Sequence, residues 1–272
     1  MSLHKEEATY YDQFGPLTRR FRKFWNVWSA RYTDHPILLV ESKWRLGDEI
    51  MALPVYEAWH RCFDDEKCKP QIEAWCNYPE LLEGNPYVHS VNNSKVRPNY
   101  YLKLRGVPRH INRAGYYLKL LNVDPPLPAP KLYFSDWSTP LLAEIPSGDS
   151  QIVALCRGAS WETKRWPEAF WITLAQELED AGHRVIVLGE DGEDIPVGTS
   201  FVGRTNVTEA ARLLHHADLC ISNDSGLMHL SLAAGTPTIG LFGPTASEIL
   251  IQSNPDFHPL TNERNCQGCW NR

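Results

Sequence analysis

From residue 150 onward, short apolar runs alternate with amphipathic stretches, and this alternation most narrows the folds open to the chain. Ile152-Val153-Ala154-Leu155-Cys156 has the length and composition of a buried strand. A helix is expected over 167–181, opened by Pro167 in its first turn and stopped by Gly182. Then follow a strand over 184–188, a helix over 207–217 with Thr208 as its cap, and a strand over 219–222. A helix over 225–234, stopped by Gly235, and a strand over 238–242 complete the series. Strands that are apolar on both faces and joined through helices by short loops imply a parallel, doubly wound α/β sheet.

The first half carries a weaker version of the same pattern. Ile37-Leu38-Leu39-Val40 reads as a buried strand, and Trp44-Arg45-Leu46-Gly47-Asp48 leads into a helix through Met51, Val55, Ala58 and Trp59. Further strands are expected over 71–76 and 87–91, and a helix around Ile111, Tyr117, Leu118 and Leu121. The run from Asp124 to Pro130 contains four prolines, each lacking a backbone donor, so it is neither helix nor central strand. It marks a linker, with the domain split near residue 145. The resulting units are a segment 1–35, a domain 36–145 and a domain 146–272.

In residues 1–35, Leu17, Phe21, Phe24, Trp28 and Tyr32 fall at helical spacing among Arg19, Arg20, Arg22, Lys23 and Arg31. A basic amphipathic helix over 17–32 has two uses: packing onto the body of the protein or a second copy, or lying on a membrane surface. With 272 residues, 43% of them hydrophobic, there is material for one large core or two smaller ones. A net charge of −6 argues against a polyanion binder, and no RNA or DNA motif appears. The deficit lies in residues 150–272, with 8 Lys and Arg against 15 Asp and Glu. An acidic domain can still hold phosphates through backbone N–H groups and a helix N-terminus.

Seven cysteines are scattered along the chain. Cys156 and Cys220 sit in strand-like runs and read as buried thiols. No apolar leader and no stretch long enough to span a bilayer is visible, so a reducing, cytoplasmic location is the expectation. Cys266 and Cys269 supply two ligands where a metal site needs about four. No metal site is expected unless His258 or a second chain adds ligands.

Ligands of doubly wound sheets bind at the carboxyl ends of the strands. Three loops there carry chemistry. In Ser222-Asn223-Asp224-Ser225-Gly226-Leu227-Met228-His229, Ser225 is placed to cap the next helix and Gly226 lets a phosphate approach. His229 lies one turn along on the same face, a position that equally suits a buried histidine. Arg157-Gly158-Ala159-Ser160 and Lys164-Arg165 offer a hydroxyl and cations for a diphosphate, or else a solvated basic loop. Gly189-Glu190-Asp191-Gly192-Glu193 offers carboxylates for ribose hydroxyls.

Together these loops resemble a family. SNDSGLMHLSLAAGTPTIGLFGPT, preceded by GASWETKRWPEAF and VIVLGEDGE, is similar to the bacterial heptosyltransferases of the lipopolysaccharide core (glycosyltransferase family 9). ILLVESKWRLGDEIMALPVYEAW resembles that family's first strand, Gly-Asp loop and first helix, and NPYVHSV and HINRAGYYLKLLNV resemble later segments. The resemblance implies GT-B architecture, two Rossmann-like domains with parallel sheets, here with a reduced N-terminal domain. It implies an inverting, metal-independent glycosyltransferase with an ADP-heptose-like donor, no separate cofactor, and a glycan or lipid-linked acceptor. A lipid-linked acceptor would place it at the inner face of the inner membrane.

By position, Asp48 matches the family's catalytic base, which deprotonates the acceptor hydroxyl, although Asp before a helix is also a good cap, and Gly47 beside it matches a donor-binding position. Lys164 and Ser160 match groups that hold the departing diphosphate. Asp224, Ser225, Gly226 and His229 match the phosphate loop, and Glu193 a ribose-binding acid. From Gly84 to Val123 there is no Asp or Glu, while Lys95, Arg97, Lys103, Arg105 and Arg109 offer cations to an anionic acceptor or form a solvated basic face. The short 92–110 connection leaves two other readings: a GT-B protein that binds without transferring, and another GT-B sugar enzyme such as an epimerase.

Overall fold

Ile37–Ser42 forms strand β1 in the computed structural model, which describes residues 37–61, 71–96, 100–104, 111–112, 115–116, 128–251 and 254–261. Leu38 and Val40 of β1 pack into a core with Ile50, Tyr56 and Trp59 of helix α1 (Leu46–Arg61). β2 (Gln71–Cys76), β3 (Ser90–Val91) and β4 (Tyr100–Lys103) complete a parallel sheet in the order β3-β2-β1-β4. The strand expected over 87–91 shrinks to two residues. β4 was not expected: Tyr100-Tyr101-Leu102 has β-propensity, but its basic flanks obscured the pattern. The segment 1–35 and most of the helix expected around 111–121 lie outside the described residues.

The second sheet contains β5 (Ile152–Cys156), β6 (Arg184–Val187), β7 (Thr199–Ser200), β8 (Leu219–Asn223), β9 (Thr238–Phe242) and β10 (Phe257–Thr261). All are parallel, in the order β10-β9-β8-β5-β6-β7. Counted from β5, this is the doubly wound order 3-2-1-4-5-6, with its reversal between β5 and β8. β7 and β10 add to the strands expected from sequence.

Alternating side chains of these strands feed two cores. Val153, Leu155, Val185 and Val187 meet Trp171 and Ala175 of helix α2 (Glu168–Asp180). Ala154, Cys156, Ile186 and Cys220 meet Ala210, Leu213 and Leu214 of helix α3 (Val207–His215) and Leu230 of helix α4 (Gly226–Ala233). This second core continues into Leu38 and Val40 of β1 and Tyr56 and Trp59 of α1. α4 is therefore buried on nearly every side, as its largely apolar sequence requires, with His229 and Ser231 buried among its apolar residues. A short helix α5 (Ser247–Leu250) precedes β10. Cys156 and Cys220 are buried thiols on neighbouring strands, 3.9 Å apart at sulfur.

Helix ends follow the expected chemistry with two corrections. Gly182 and Gly235, at φ +88° and +87°, take the left-handed conformation just beyond α2 and α4. α3 is capped by Asn206 and not by Thr208: Asn206 accepts from the Glu209 amide, and Glu209 reaches back to the Asn206 amide. Ser225 holds the cap position of α4 but its side chain makes no cap hydrogen bond.

The chain after the proline run straps the two sheets together. Leu132 N–H donates to Ala233 O (3.0 Å), and Tyr133 Oη donates to Glu57 (3.3 Å). Trp137 stacks on His215 at 4.1 Å between ring centroids. No helix among the described residues is long and apolar enough to cross a membrane.

Candidate active site

In a doubly wound sheet, ligands bind in the crevice outside the carboxyl ends of the strands at the reversal, here between β5 and β8, and the sequence-predicted loops after β5, β6 and β8 follow those ends. β8 delivers Asp224 and Ser225 to the start of α4. Ser225 is extended (φ −146°, ψ 175°), and its Oγ lies 3.3 Å from Ser222 Oγ. The first-turn N–H groups of α4 thus lack a side-chain cap, leaving the positive end of its dipole uncompensated there.

Asp224 is 4% exposed. Its Oδ2 accepts from Lys164 Nζ (2.6 Å) and from Thr245 Oγ1 (2.6 Å). A carboxylate so engaged repels a phosphate and anchors the cation beside it instead. Lys164 closes a short 3-10 turn (Glu162–Lys164), and its ammonium also sits over the Trp161 ring at 4.4 Å. Ser160 is exposed just before this turn. Asn223, fully buried, ties the neighbouring loops together: its amide donates to Arg157 O and its Oδ1 accepts from Trp166 N–H (3.2 Å).

The first sheet meets this crevice through the start of α1. α1 begins at Leu46, so Gly47 and Asp48 lie inside its first turn and Asp48 is not its cap. A Cβ at Gly47 would fall 2.9 Å from Cδ2 of His229, and one at Gly226 would fall 3.2 Å from Leu46 Cβ. The two loops touch where neither has room for a side chain. Half-buried Asp48 follows directly, and His229, 4% exposed, backs the contact. The Gly47–Asp48 turn and the start of α4 thus come together with Lys164 and Asp224 alongside.

Sequence reasoning passed over Glu49. Its carboxylate, 3% exposed, accepts from the amides of Trp44 (3.0 Å), Asn77 (2.9 Å) and Tyr78 (3.1 Å). It clamps the loop after β1 to the loop after β2 and so fixes the Asp48 turn. Burial pushes this carboxyl above its ordinary value, against the amide bonds that favour its ionised form. The available signal was a charged residue directly preceding the apolar run Ile50-Met51-Ala52-Leu53.

Glu193 lies in the loop after β6, its carboxylate beside Gly158 and Gly189. Its Oε2 accepts from Glu190 N–H (2.9 Å) and would lie 2.6 Å from a Cβ at Gly189. The acceptor-side cations are less concentrated. Lys95 is exposed after β3, and Lys103, at the end of β4, pairs with Glu41 (2.6 Å). Arg97, Arg105 and Arg109 lie outside the described residues, as do Cys266 and Cys269. Among the described residues, no cluster of three or more His, Cys, Asp or Glu is placed to hold a metal ion.

Two parallel α/β sheets facing each other, with a loop-helix turn from each meeting at the reversal of the second, define a GT-B protein. The family model of glycosyltransferase family 9 (heptosyltransferase) matches residues 108–272, and the chain belongs to that family. It is 33% identical over 144 residues to lipooligosaccharide heptosyltransferase 2 of Haemophilus influenzae, an alignment covering 47% of this chain and 40% of that protein. The chain therefore spans about two fifths of the length of this relative. In fold it resembles the glycosyl transferase family 9 protein of Veillonella parvula, with a TM-score of 0.72 at 15% identity over 84% of this chain and 86% of that one. It also resembles the ADP-heptose lipopolysaccharide heptosyltransferase II of Escherichia coli, with a TM-score of 0.68 at 18% identity over 83% and 90%.

Proposed function

We propose that this protein transfers a heptose-type sugar from an ADP-linked donor to a glycan or lipid-linked acceptor, by one inverting displacement without a metal. The observation that carries this reading is the meeting of the Gly47–Asp48 turn with the uncapped start of α4 beside Lys164. Asp48 removes the proton of the incoming hydroxyl, and the hydroxyl oxygen bonds to the anomeric carbon as the bond to the diphosphate breaks. The charge left on the diphosphate is met by the α4 N–H groups, Ser160 and the Lys164 ammonium. Glu193 binds the ribose, and His229 adds a hydrogen bond from α4. The ADP-heptose donor is taken from the family and from the activity named for the Escherichia coli neighbour. A lipid-linked acceptor would bring the protein to the inner face of the inner membrane, where the basic, aromatic residues 17–32 suit an anionic surface.

Calorimetric titration of the intact protein with ADP, UDP, GDP and CDP tests the donor site, with His229→Ala alongside. Selective ADP binding that weakens in the variant is expected, and ADP-heptose turnover follows as the next assay. A protein that binds none of the four nucleotides is not using this crevice for a nucleotide sugar.

A further inference from the structure

Arg157 has no role in the displacement above, yet it makes an unusually complete set of bonds. It is the first residue after β5, at the crevice itself, and its side chain is 16% exposed. The guanidinium reaches across to the loop after β6. Nε donates to Glu193 O (2.7 Å), and one terminal nitrogen donates to Gly192 O (2.9 Å) and Asp194 O (3.1 Å). The same nitrogen lies 3.1 Å from Glu168 at the start of α2. Three consecutive carbonyls are thus folded around one planar cation, whose rigid fork of donors fixes their arrangement as a flexible ammonium does not. The Arg157 carbonyl is held in turn by Asn223 at the end of β8.

The loop so fixed carries the Glu193 side chain, whose carboxylate lies against Gly158 and Gly189, where a Cβ would collide with it. Glu193 stands beyond the second strand of the 3-2-1-4-5-6 sheet, counted from β5. In doubly wound sheets an acid there meets the ribose hydroxyls of a bound nucleotide. We infer that Arg157 is a positioning residue that sets the Glu193 carboxylate for a ribose diol, and so makes the crevice selective for ribonucleotides over 2′-deoxyribonucleotides. This inference rests on the donor-site reading.

The test is calorimetric titration of wild type, Arg157→Lys, Glu193→Gln and the double variant with ADP, 2′-deoxy-ADP and pyrophosphate. Wild type is expected to prefer ADP over 2′-deoxy-ADP by about tenfold or more, the worth of one hydrogen bond to a charged group. Either substitution should bring that ratio close to one, and the double variant should lose nothing further. Pyrophosphate affinity should stay level in all four proteins, which a merely structural role for Arg157 would not allow. A wild type indifferent to the 2′-hydroxyl overturns the inference without any variant. So does an R157K protein that keeps the ratio, or one that loses pyrophosphate and ADP in equal measure. If R157K fails to fold, an unchanged ratio in E193Q overturns it equally. Absence of ADP binding altogether would instead remove the donor-site reading beneath it.

Discussion

One methyl group added at Gly47 tests whether the two sheets meet as described. A Cβ there would lie 2.9 Å from Cδ2 of His229 and 3.5 Å from Cα of Gly226. Carbon atoms settle at about 3.5–4.0 Å, so the imidazole would have to retreat by roughly 0.6–1 Å. His229 is 4% exposed and has little space to retreat into. Overpacking of this kind costs about 1–3 kcal/mol. Alanine recovers at most ~1 kcal/mol as the better helix former, and less in a first turn. The clash therefore wins, and Gly47→Ala should lower Tm by roughly 2–4 °C for each net kcal/mol in a chain of this size. His229→Ala removes the obstacle. In G47A/H229A the steric penalty should vanish, leaving a coupling of about 1–3 kcal/mol between the two sites. Urea unfolding of the four proteins measures it. Additive effects would refute the close approach of α1 and α4, and with it the placement of Asp48 at the crevice.

Three further outcomes follow from other contacts. Lys164→Met leaves the Asp224 carboxylate to Thr245 alone at a buried position, so unfolding free energy should fall by about 3–5 kcal/mol. Adding Asp224→Asn should recover most of that stability but none of the nucleotide-diphosphate affinity; recovery of both would show that Lys164 serves only Asp224. Folded Glu49 keeps its proton to a higher pH than the unfolded chain does, so its contribution to stability falls as pH rises from about 4.5 through the raised value, then levels off. The stability difference between wild type and Glu49→Gln should change across that window in thermal melts, and a constant difference contradicts the burial argument. Asn206→Ala should cost ~1 kcal/mol and Thr208→Ala within about 0.5 kcal/mol, with ADP binding unchanged in both. Equal costs would undo the reassignment of the α3 cap.

The second sheet was legible mainly through β5 and β6, which are buried on both faces, so four or five apolar residues in a row (152–156 and 185–188) carry the signal. The strands that escaped lack that property. β7 has two residues, too few for any period. β10 contains Pro259 and is largely exposed. Among the described residues it pairs only with β9, at the sheet edge where a missing donor is tolerated. The Thr208 cap failed for a different reason. Asn206 and Thr208 are both good caps, and only the Asn206–Glu209 reciprocity distinguishes them.

At the site, residue types were readable but their partners were not. Lys164 and Asp224 each looked like a donor contact, yet 60 residues apart in sequence they satisfy one another. Glu49 and Arg157 hold amides and carbonyls about 28 to 37 residues away, and backbone groups carry no sequence signature. This matters for how a diphosphate could be held at all. Residues 150–272 carry 8 Lys and Arg against 15 Asp and Glu, so net charge repels an anion. Lys164, beside the loop after β8, is already paired with Asp224. In the proposed reading, fixed dipoles at short range then add to Lys164: the N–H groups at the start of α4, left without a side-chain cap. Binding built this way should weaken far less with added salt than binding by a basic patch, because buried dipoles are screened little and release few counterions.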